Sequence, residues 1–265
     1  MEPTYPGAVS HYVNLGSFYD KEGLSEQKEA LIRLDCAYKA CYQNAYQCLY
    51  AAQQVRRSGE EKGFLTDEAQ EKIAKRAQGI LSREVKRRGT MRGKIQRRFL
   101  GGITCQGVLC CYETAEHICQ RIYELQDVCG LAAEMLSALQ EGAVAAGYDV
   151  ISCLSPEAPE EIAHLLIPEL SLAFVTTEAG KPLEKRPYRR IRMASMAEPQ
   201  MMKAQKGKLK FSHRVAEALR EEGIAELRRG KEIHDEIEAI YQPFVNFKGA
   251  DKLTRGLIEE IRQLL

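Results

Sequence analysis

The turn over residues 126–133, Gln-Asp-Val-Cys-Gly-Leu-Ala-Ala, is the part of this sequence whose position best suits phosphate chemistry. It joins a short apolar segment, residues 122–125, to an Ala/Leu-rich segment, residues 131–146. In a strand–turn–helix unit the turn binds phosphate, because glycines let the backbone approach and the helix N-terminus faces the anion. A lysine and a hydroxyl side chain normally complete such a site. This turn keeps Gly130 but contains neither of them. The sequence therefore predicts the frame of a phosphate site without its side chains.

Alternating strands and helices must position this turn. Residues 122–125, 148–154 and 172–176 are short apolar runs, which predict buried strands. Between them, residues 131–146 predict a helix that ends at Gly147, and a shorter helix is predicted around residues 159–165. Strands alternating with helices at these lengths favour a parallel sheet with crossover helices. The predicted fold class is therefore α/β with a mainly parallel sheet.

The segments on either side of this unit are predicted to be mostly helical. Before the core we predict a long helix from Ser25 to a break at Ser58-Gly59, a second helix over 66–88, and a hairpin with strands in 98–104 and 108–112. After the core we predict an irregular stretch up to about residue 210, followed by helices over 211–240 and 250–264. The predicted organisation has three parts: a helical region over 1–97, the α/β core over 98–180, and a basic loop with C-terminal helices over 181–265.

Composition excludes several classes of protein. Lys and Arg number 38 against 37 Asp and Glu, so the net charge of +1 creates no overall attraction for nucleic acid or anionic membrane. The nine cysteines include no C-x-x-C pair, which favours reduced, packed thiols over a zinc site. No apolar run approaches the ~18 residues that a membrane span requires. We expect a soluble, cytoplasmic protein.

Three stretches of the chain carry a family resemblance. The first is Tyr5-Pro6-Gly7-Ala8-Val9 through Val13-Asn14-Leu15-Gly16. The second is made of Arg98-Phe99-Leu100-Gly101-Gly102-Ile103-Thr104 with Gly107, Gly147-Tyr148-Asp149-Val150, Ile167-Pro168-Glu169-Leu170 and Ala173-Phe174-Val175. The third is Lys231-Glu232-Ile233-His234-Asp235-Glu236 with Tyr241, Phe247 and Ala250-Asp251. Together they resemble an uncharacterised bacterial family of tandem P-loop proteins, described as ATPases or nucleotide-kinase-like. The resemblance implies a three-layer P-loop NTPase-like core flanked by long helices. It also implies that this chain corresponds to the second half of such a protein, with the tail of the first half.

The chain departs from the family at the phosphate-binding motif. Counted back from Gly147, the pattern G-x-x-x-x-G-K-[ST] falls on residues 126–133. Gln126 and Leu131 replace its two glycines, and the lysine and the Mg²⁺-binding hydroxyl become Ala132 and Ala133. Because neither alanine can contact a phosphate or a metal, the resemblance implies a protein that does not hydrolyse nucleotide and acts in binding or as a scaffold. No cofactor is expected for that function, and its partner would be another protein or a second copy of the chain.

An enzymatic alternative stays open, in which ATP with Mg²⁺ binds through unconventional contacts. Its candidate binding residues are Gly130, Leu131, Ala132 and Ala133 in the turn, and Arg186, Arg189 and Arg190 in the loop after the last core strand. The basic run over residues 83–98 contains no aromatic residue for base stacking, which favours a solvated helix end over a nucleic-acid site. RNA or DNA binding through this run is a third and weaker hypothesis, and nucleic acid is not the expected partner. No catalytic or metal-binding residue is predicted.

Overall fold

The computed structural model describes residues 12–86, 91–178, 183 and 185–264. The chain divides into two compact units, one formed by Met1–Gln43 with Arg229–Leu265 and the other by Asn44–Arg228. We call them the terminal unit and the central unit. The family match over residues 5–9 and the basic residues Arg87, Arg88 and Lys181 lie outside the described residues.

The described residues form seven α-helices and eight β-strands. The helices are α1 (Lys21–Glu26), α2 (Lys28–Phe64), α3 (Asp67–Glu84), α4 (Tyr112–Ile118), α5 (Ala132–Ala145), α6 (Pro199–Tyr241) and α7 (Phe247–Leu264). The strands are β1 (Ile95–Arg98), β2 (Gly101–Thr104), β3 (Gly107–Cys110), β4 (Arg121–Asp127), β5 (Val150–Leu154), β6 (Ile162–Ile167), β7 (Leu172–Glu178) and β8 (Arg189–Arg192). No described helix is both long enough and apolar enough to cross a membrane.

The long N-terminal helix differs from its prediction at both ends. Asp20 caps α1 by accepting the backbone N–H groups of Glu22 and Gly23, so helical structure begins before Ser25. At the other end, α2 continues through the expected break at Ser58-Gly59 to Phe64. A Cβ atom on Gly59 would lie 2.6 Å from Ser212 on α6. This glycine therefore permits close packing of two helices and does not end one.

Six strands form a mostly parallel mixed sheet in the order β1-β5-β6-β7-β4-β8. The predicted strands around Ile122, Val150 and Phe174 are all present and run in the same direction. The prediction of a helix over 159–165 is wrong, because β6 occupies that place and pairs antiparallel with both β5 and β7. Its six residues lie between two prolines and hydrogen-bond on both edges, which suits a buried strand better than a helix of under two turns.

The segment after β7 is more regular than expected. β8 adds a parallel edge strand beside β4, and α6 begins at Pro199, a dozen residues before the predicted start. Buried Ile191 and Met193 fix this segment against the core. The predicted hairpin is confirmed: β2 and β3 pair antiparallel, and Gly107 after the turn has φ +115°.

Both faces of the sheet are covered. On one face α3 and α5 pack against a cluster that includes Tyr123, Leu125 and Phe174. On the other, Leu100, Ala115 and Cys119 pack against Ile122, Ala173 and Val175. Since side chains alternate along a strand, Glu124 lies on this second face with Ile122.

Candidate functional site

Two cavities lie where the parallel strands of the central unit end. Strands β4, β5 and β7 terminate at Asp127, Leu154 and Glu178 on the same edge of the sheet. That edge is the usual ligand side of an open α/β sheet. The smaller cavity, of about 410 Å³, is lined by Arg56, Glu60, Asp127, Gly130, Ala132, Ala133, Ser155, Glu161, Ile162, Ala163, Thr176, His213, Arg214, Ala216, Glu217 and Arg220. The larger cavity, of about 690 Å³, is lined by Arg56, Gly101, Ile103, Val108, Leu109, Cys110, Tyr112, Glu113, Glu116, His117, Leu154, Ser155, Pro156, Glu157, Ala163, His164, Thr176, Leu183, Lys185 and Arg220.

The turn between β4 and α5 contains its own anion. The carboxylate of Asp127 accepts the backbone N–H of Cys129 at 3.0 Å and that of Ala132 at 2.7 Å. These amides are the ones that a phosphate would need at this position. Gly130, with φ +75°, makes the tight reversal possible, and Leu131 is buried in the core. A side chain of the protein therefore occupies the backbone N–H groups of this turn.

A network of ion pairs forms the wall between the two cavities. Arg220, whose side chain is 6% exposed, donates two hydrogen bonds to Glu157, at 2.6 and 3.2 Å. Arg56 also donates to Glu157, at 3.0 Å, and lies 3.6 Å from Glu60. His213 contacts the same Glu60 at 2.7 Å. The network joins α2, α6 and the loop between β5 and β6, and it places carboxylate partners against the cations that line both cavities.

The predicted arginines lie near the opposite end of β4. Arg189 pairs with Tyr123 in the parallel ladder, four residues before Asp127 and thus roughly 13 Å along the strand. The Arg189 guanidinium lies 5.6 Å from the ring of Tyr188. Arg186, Arg189 and Arg190 line a separate cavity of about 430 Å³ with that tyrosine. The two sets of candidate binding residues are therefore not brought together.

Arg190 has a structural partner that the sequence analysis missed. It pairs with Glu124, a fully buried carboxylate inside β4. Glu124 also accepts hydrogen bonds from Thr177 Oγ1 at 2.9 Å and from the backbone N–H of Leu183 at 3.3 Å. The sequence contains one sign of this ion pair, which is the single acid within the apolar run Ile-Tyr-Glu-Leu. A carboxylate buried in a strand requires a partner.

His164 and Cys110 meet in the larger cavity but do not form an activated nucleophile. The backbone N–H of Thr176 donates to His164 Nδ1 at 3.1 Å, so the ring proton is on Nε2, which lies 3.9 Å from Cys110 Sγ. Burial lowers the pKa of His164 to about 4 and raises the pKa of the Cys110 thiol. A neutral ring whose near nitrogen is already protonated cannot accept the thiol proton.

One group of three potential metal ligands occurs among the described residues, in the terminal unit. His234, Asp235 and Glu238 have ligand atoms within 4.8 Å of one another on α6. Asp235 is in an ion pair with Lys231, one turn away, and both acids are exposed. Such i,i+4 pairs are typical of a solvated helix surface.

No protein-family model, no curated protein and no solved structure matches this chain.

Proposed function

We propose that the central unit is a P-loop-type α/β domain that has lost nucleotide hydrolysis and serves as a binding or scaffold domain. The mostly parallel sheet with the strand–turn–helix β4–α5 supports the fold assignment. The proposed loss of nucleotide binding rests on one observation: the Asp127 carboxylate accepts hydrogen bonds from the two backbone N–H groups of the turn.

Electrostatics favours this assignment over triphosphate binding. A phosphate entering the turn would meet the charge of Asp127 at a distance of a few ångströms, where like charges repel by about 1 to 4 kcal/mol. It would also meet Ala132 and Ala133 at the positions where a lysine normally binds the phosphates and a hydroxyl normally binds Mg²⁺. The cavity offers no excess of positive charge to offset this repulsion, since Arg56, Arg214 and Arg220 line it together with four acids, Glu60, Asp127, Glu161 and Glu217.

Thermal unfolding with ATP, ADP and GTP, each with and without Mg²⁺, tests the proposal. We expect no change in melting temperature for the natural protein, whereas a Mg²⁺-dependent increase with ATP would contradict the proposal. A gain-of-function comparison isolates Asp127. The variant Ala132→Lys/Ala133→Thr should remain unresponsive, and adding Asp127→Gly should produce an ATP-dependent increase. Equal responses of the double and triple variants would show that the carboxylate is not what blocks the turn.

A further inference from the structure

The larger cavity has an apolar wall that faces the end of the sheet. The hairpin contributes Ile103, Val108 and Leu109, and the sheet side contributes Leu154. Val108 and Leu109 are 51% and 44% exposed, although both are large apolar residues. A volume of about 690 Å³ falls within the roughly 300–1,000 Å³ typical of small-molecule sites. This wall would gain most from a ligand that removes its apolar surface from water.

Five of the six Arg, Lys and Glu side chains that line this cavity are paired within the protein, and the sixth, Glu113, is exposed to solvent, where an ion pair with a ligand would contribute little. Glu157 pairs with both Arg56 and Arg220, and Glu116 pairs with Lys185. An anionic ligand that binds Arg220 would have to displace Glu157, and a cationic one that binds Glu157 would have to displace an arginine. Either exchange breaks a hydrogen-bonded, largely buried ion pair and also requires the ligand charge to be desolvated, which is unfavourable.

One polar group of the cavity has hydrogen-bonding capacity to spare. His164 presents Nε2–H towards Cys110 Sγ, a weak acceptor at 3.9 Å. An imidazole N–H can donate to an oxygen atom. Because His164 lines the cavity, a ligand oxygen there would give this N–H a stronger acceptor than the thiol.

From these observations we infer that the larger cavity binds a small, largely apolar molecule of no net charge that carries an acceptor oxygen for His164 Nε2–H. The inference rests on the proposed binding role of the central unit and names its ligand class. It predicts selection by charge among molecules of the same shape.

Three naphthalene probes of matched size test this selection: neutral 1-naphthol, anionic 1-naphthoate and cationic 1-naphthylmethylammonium. The chain has no Trp, so probe fluorescence is read without tryptophan emission. At neutral pH we expect 1-naphthol to bind at least about tenfold more tightly than either charged probe. Equal or tighter binding of a charged probe would overturn the inference, as would no detectable binding of any of the three.

Two variants test whether the probe binds in the larger cavity. His164→Leu should weaken 1-naphthol binding about fivefold by removing one hydrogen bond. Val108→Asp should weaken it about tenfold by placing a charge in the apolar wall, and this exposed position makes little contribution to folding. Ile95→Asp is the matched control, since Ile95 is also β-branched and exposed but lies on β1 outside the cavity. Equal losses from Val108→Asp and Ile95→Asp would also overturn the inference.

The outcome is separable from that of the nucleotide experiment. An ATP-dependent increase in melting temperature would contradict the loss of nucleotide binding without altering the order of the three probes. Failure of the probe selection would leave the hydrogen-bonded turn at Asp127 unaffected.

Discussion

The two cavities of the central unit share Arg56, Ser155, Ala163, Thr176 and Arg220, yet their remaining walls differ. The smaller cavity is bounded by the β4–α5 turn and by charged side chains of α2 and α6. The larger one is bounded by the β2–β3 hairpin and by the uncharged ring of His164. In the first, Glu60 pairs with Arg56 and His213, and Glu217 pairs with Arg220. In the second, apolar surface and the Nε2–H of His164 remain available to a ligand.

This difference distinguishes a turn whose amides are bonded within the protein from a cavity whose apolar wall is uncovered. In the turn, the Asp127 carboxylate accepts the N–H groups of Cys129 and Ala132. In the larger cavity, Glu157 and Glu116 are paired with cations while Val108 and Leu109 stay exposed. The ion-pair wall between them should then be the most sensitive part of the arrangement.

Glu157→Ala is expected to have the largest effect on stability. The substitution removes the bidentate partner of Arg220, whose side chain is 6% exposed, and a carboxylate partner of Arg56. Arg220 keeps its ion pair with Glu217 and Arg56 keeps the one with Glu60, so the free energy of unfolding should fall by about 3 to 4 kcal/mol, the lower part of the range for a broken buried pair. Urea denaturation followed by far-UV circular dichroism measures the loss.

The neighbouring acid Glu160 provides the control for this substitution. Its side chain is 56% exposed and pairs with Arg57, so Glu160→Ala should change the free energy of unfolding by less than about 0.5 kcal/mol. Similar small losses from both substitutions would mean that the wall between the cavities does not depend on the Arg220–Glu157 pair.

His164 should make stability depend on pH in the acid range. In the folded protein its pKa is lowered to about 4 by burial, below the ordinary value of 6.5. As the pH falls below about 6.5 the unfolded chain takes up a proton first, so the stabilising contribution of neutral His164 is full above that pH and is lost towards pH 4. The total is roughly 3 kcal/mol.

The difference between the natural protein and His164→Gln isolates this contribution from that of the carboxylates. Urea denaturation of both proteins between pH 7.5 and 4.5 should show a steeper decline for the natural protein. Parallel pH profiles would indicate that the ring is not held neutral in the larger cavity.

Local features of the sequence predicted the frame of the β4–α5 turn. The apolar run before Gln126 and the helix that ends at Gly147, where φ is +94°, were predictable from short-range patterns. Asp127 was also interpretable, because its two hydrogen-bond partners lie only two and five residues away. An acidic side chain in such a turn opposes phosphate binding in two ways: its charge repels the phosphate, and its oxygens occupy the backbone N–H groups that the phosphate would need.

Features that depend on distant contacts could not be predicted in the same way. Arg220 and Glu157 are 63 residues apart, and nothing in either neighbourhood specifies the other. Residues 162–167 form a short apolar run that fits a strand or a buried helix equally well, and only the free edges of β5 and β7 decide between them. The larger cavity depends on both features, so local sequence patterns do not reveal it.

Gly130→Ala is expected to have the smallest effect and to act on the smaller cavity alone. The residue has φ +75°, where an L side chain costs about 1 kcal/mol, and its Cβ would lie 3.1 Å from Glu60. Gly107→Ala is the comparison for backbone strain without crowding, because φ there is +115°, farther from the left-handed region, and no atom lies within 4 Å of the added Cβ. Urea denaturation should show a loss of about 1 kcal/mol for Gly130→Ala and at least as large a loss for Gly107→Ala. Binding of 1-naphthol in the larger cavity should be unchanged by Gly130→Ala, and a parallel loss of that binding would mean that the two cavities act as one site.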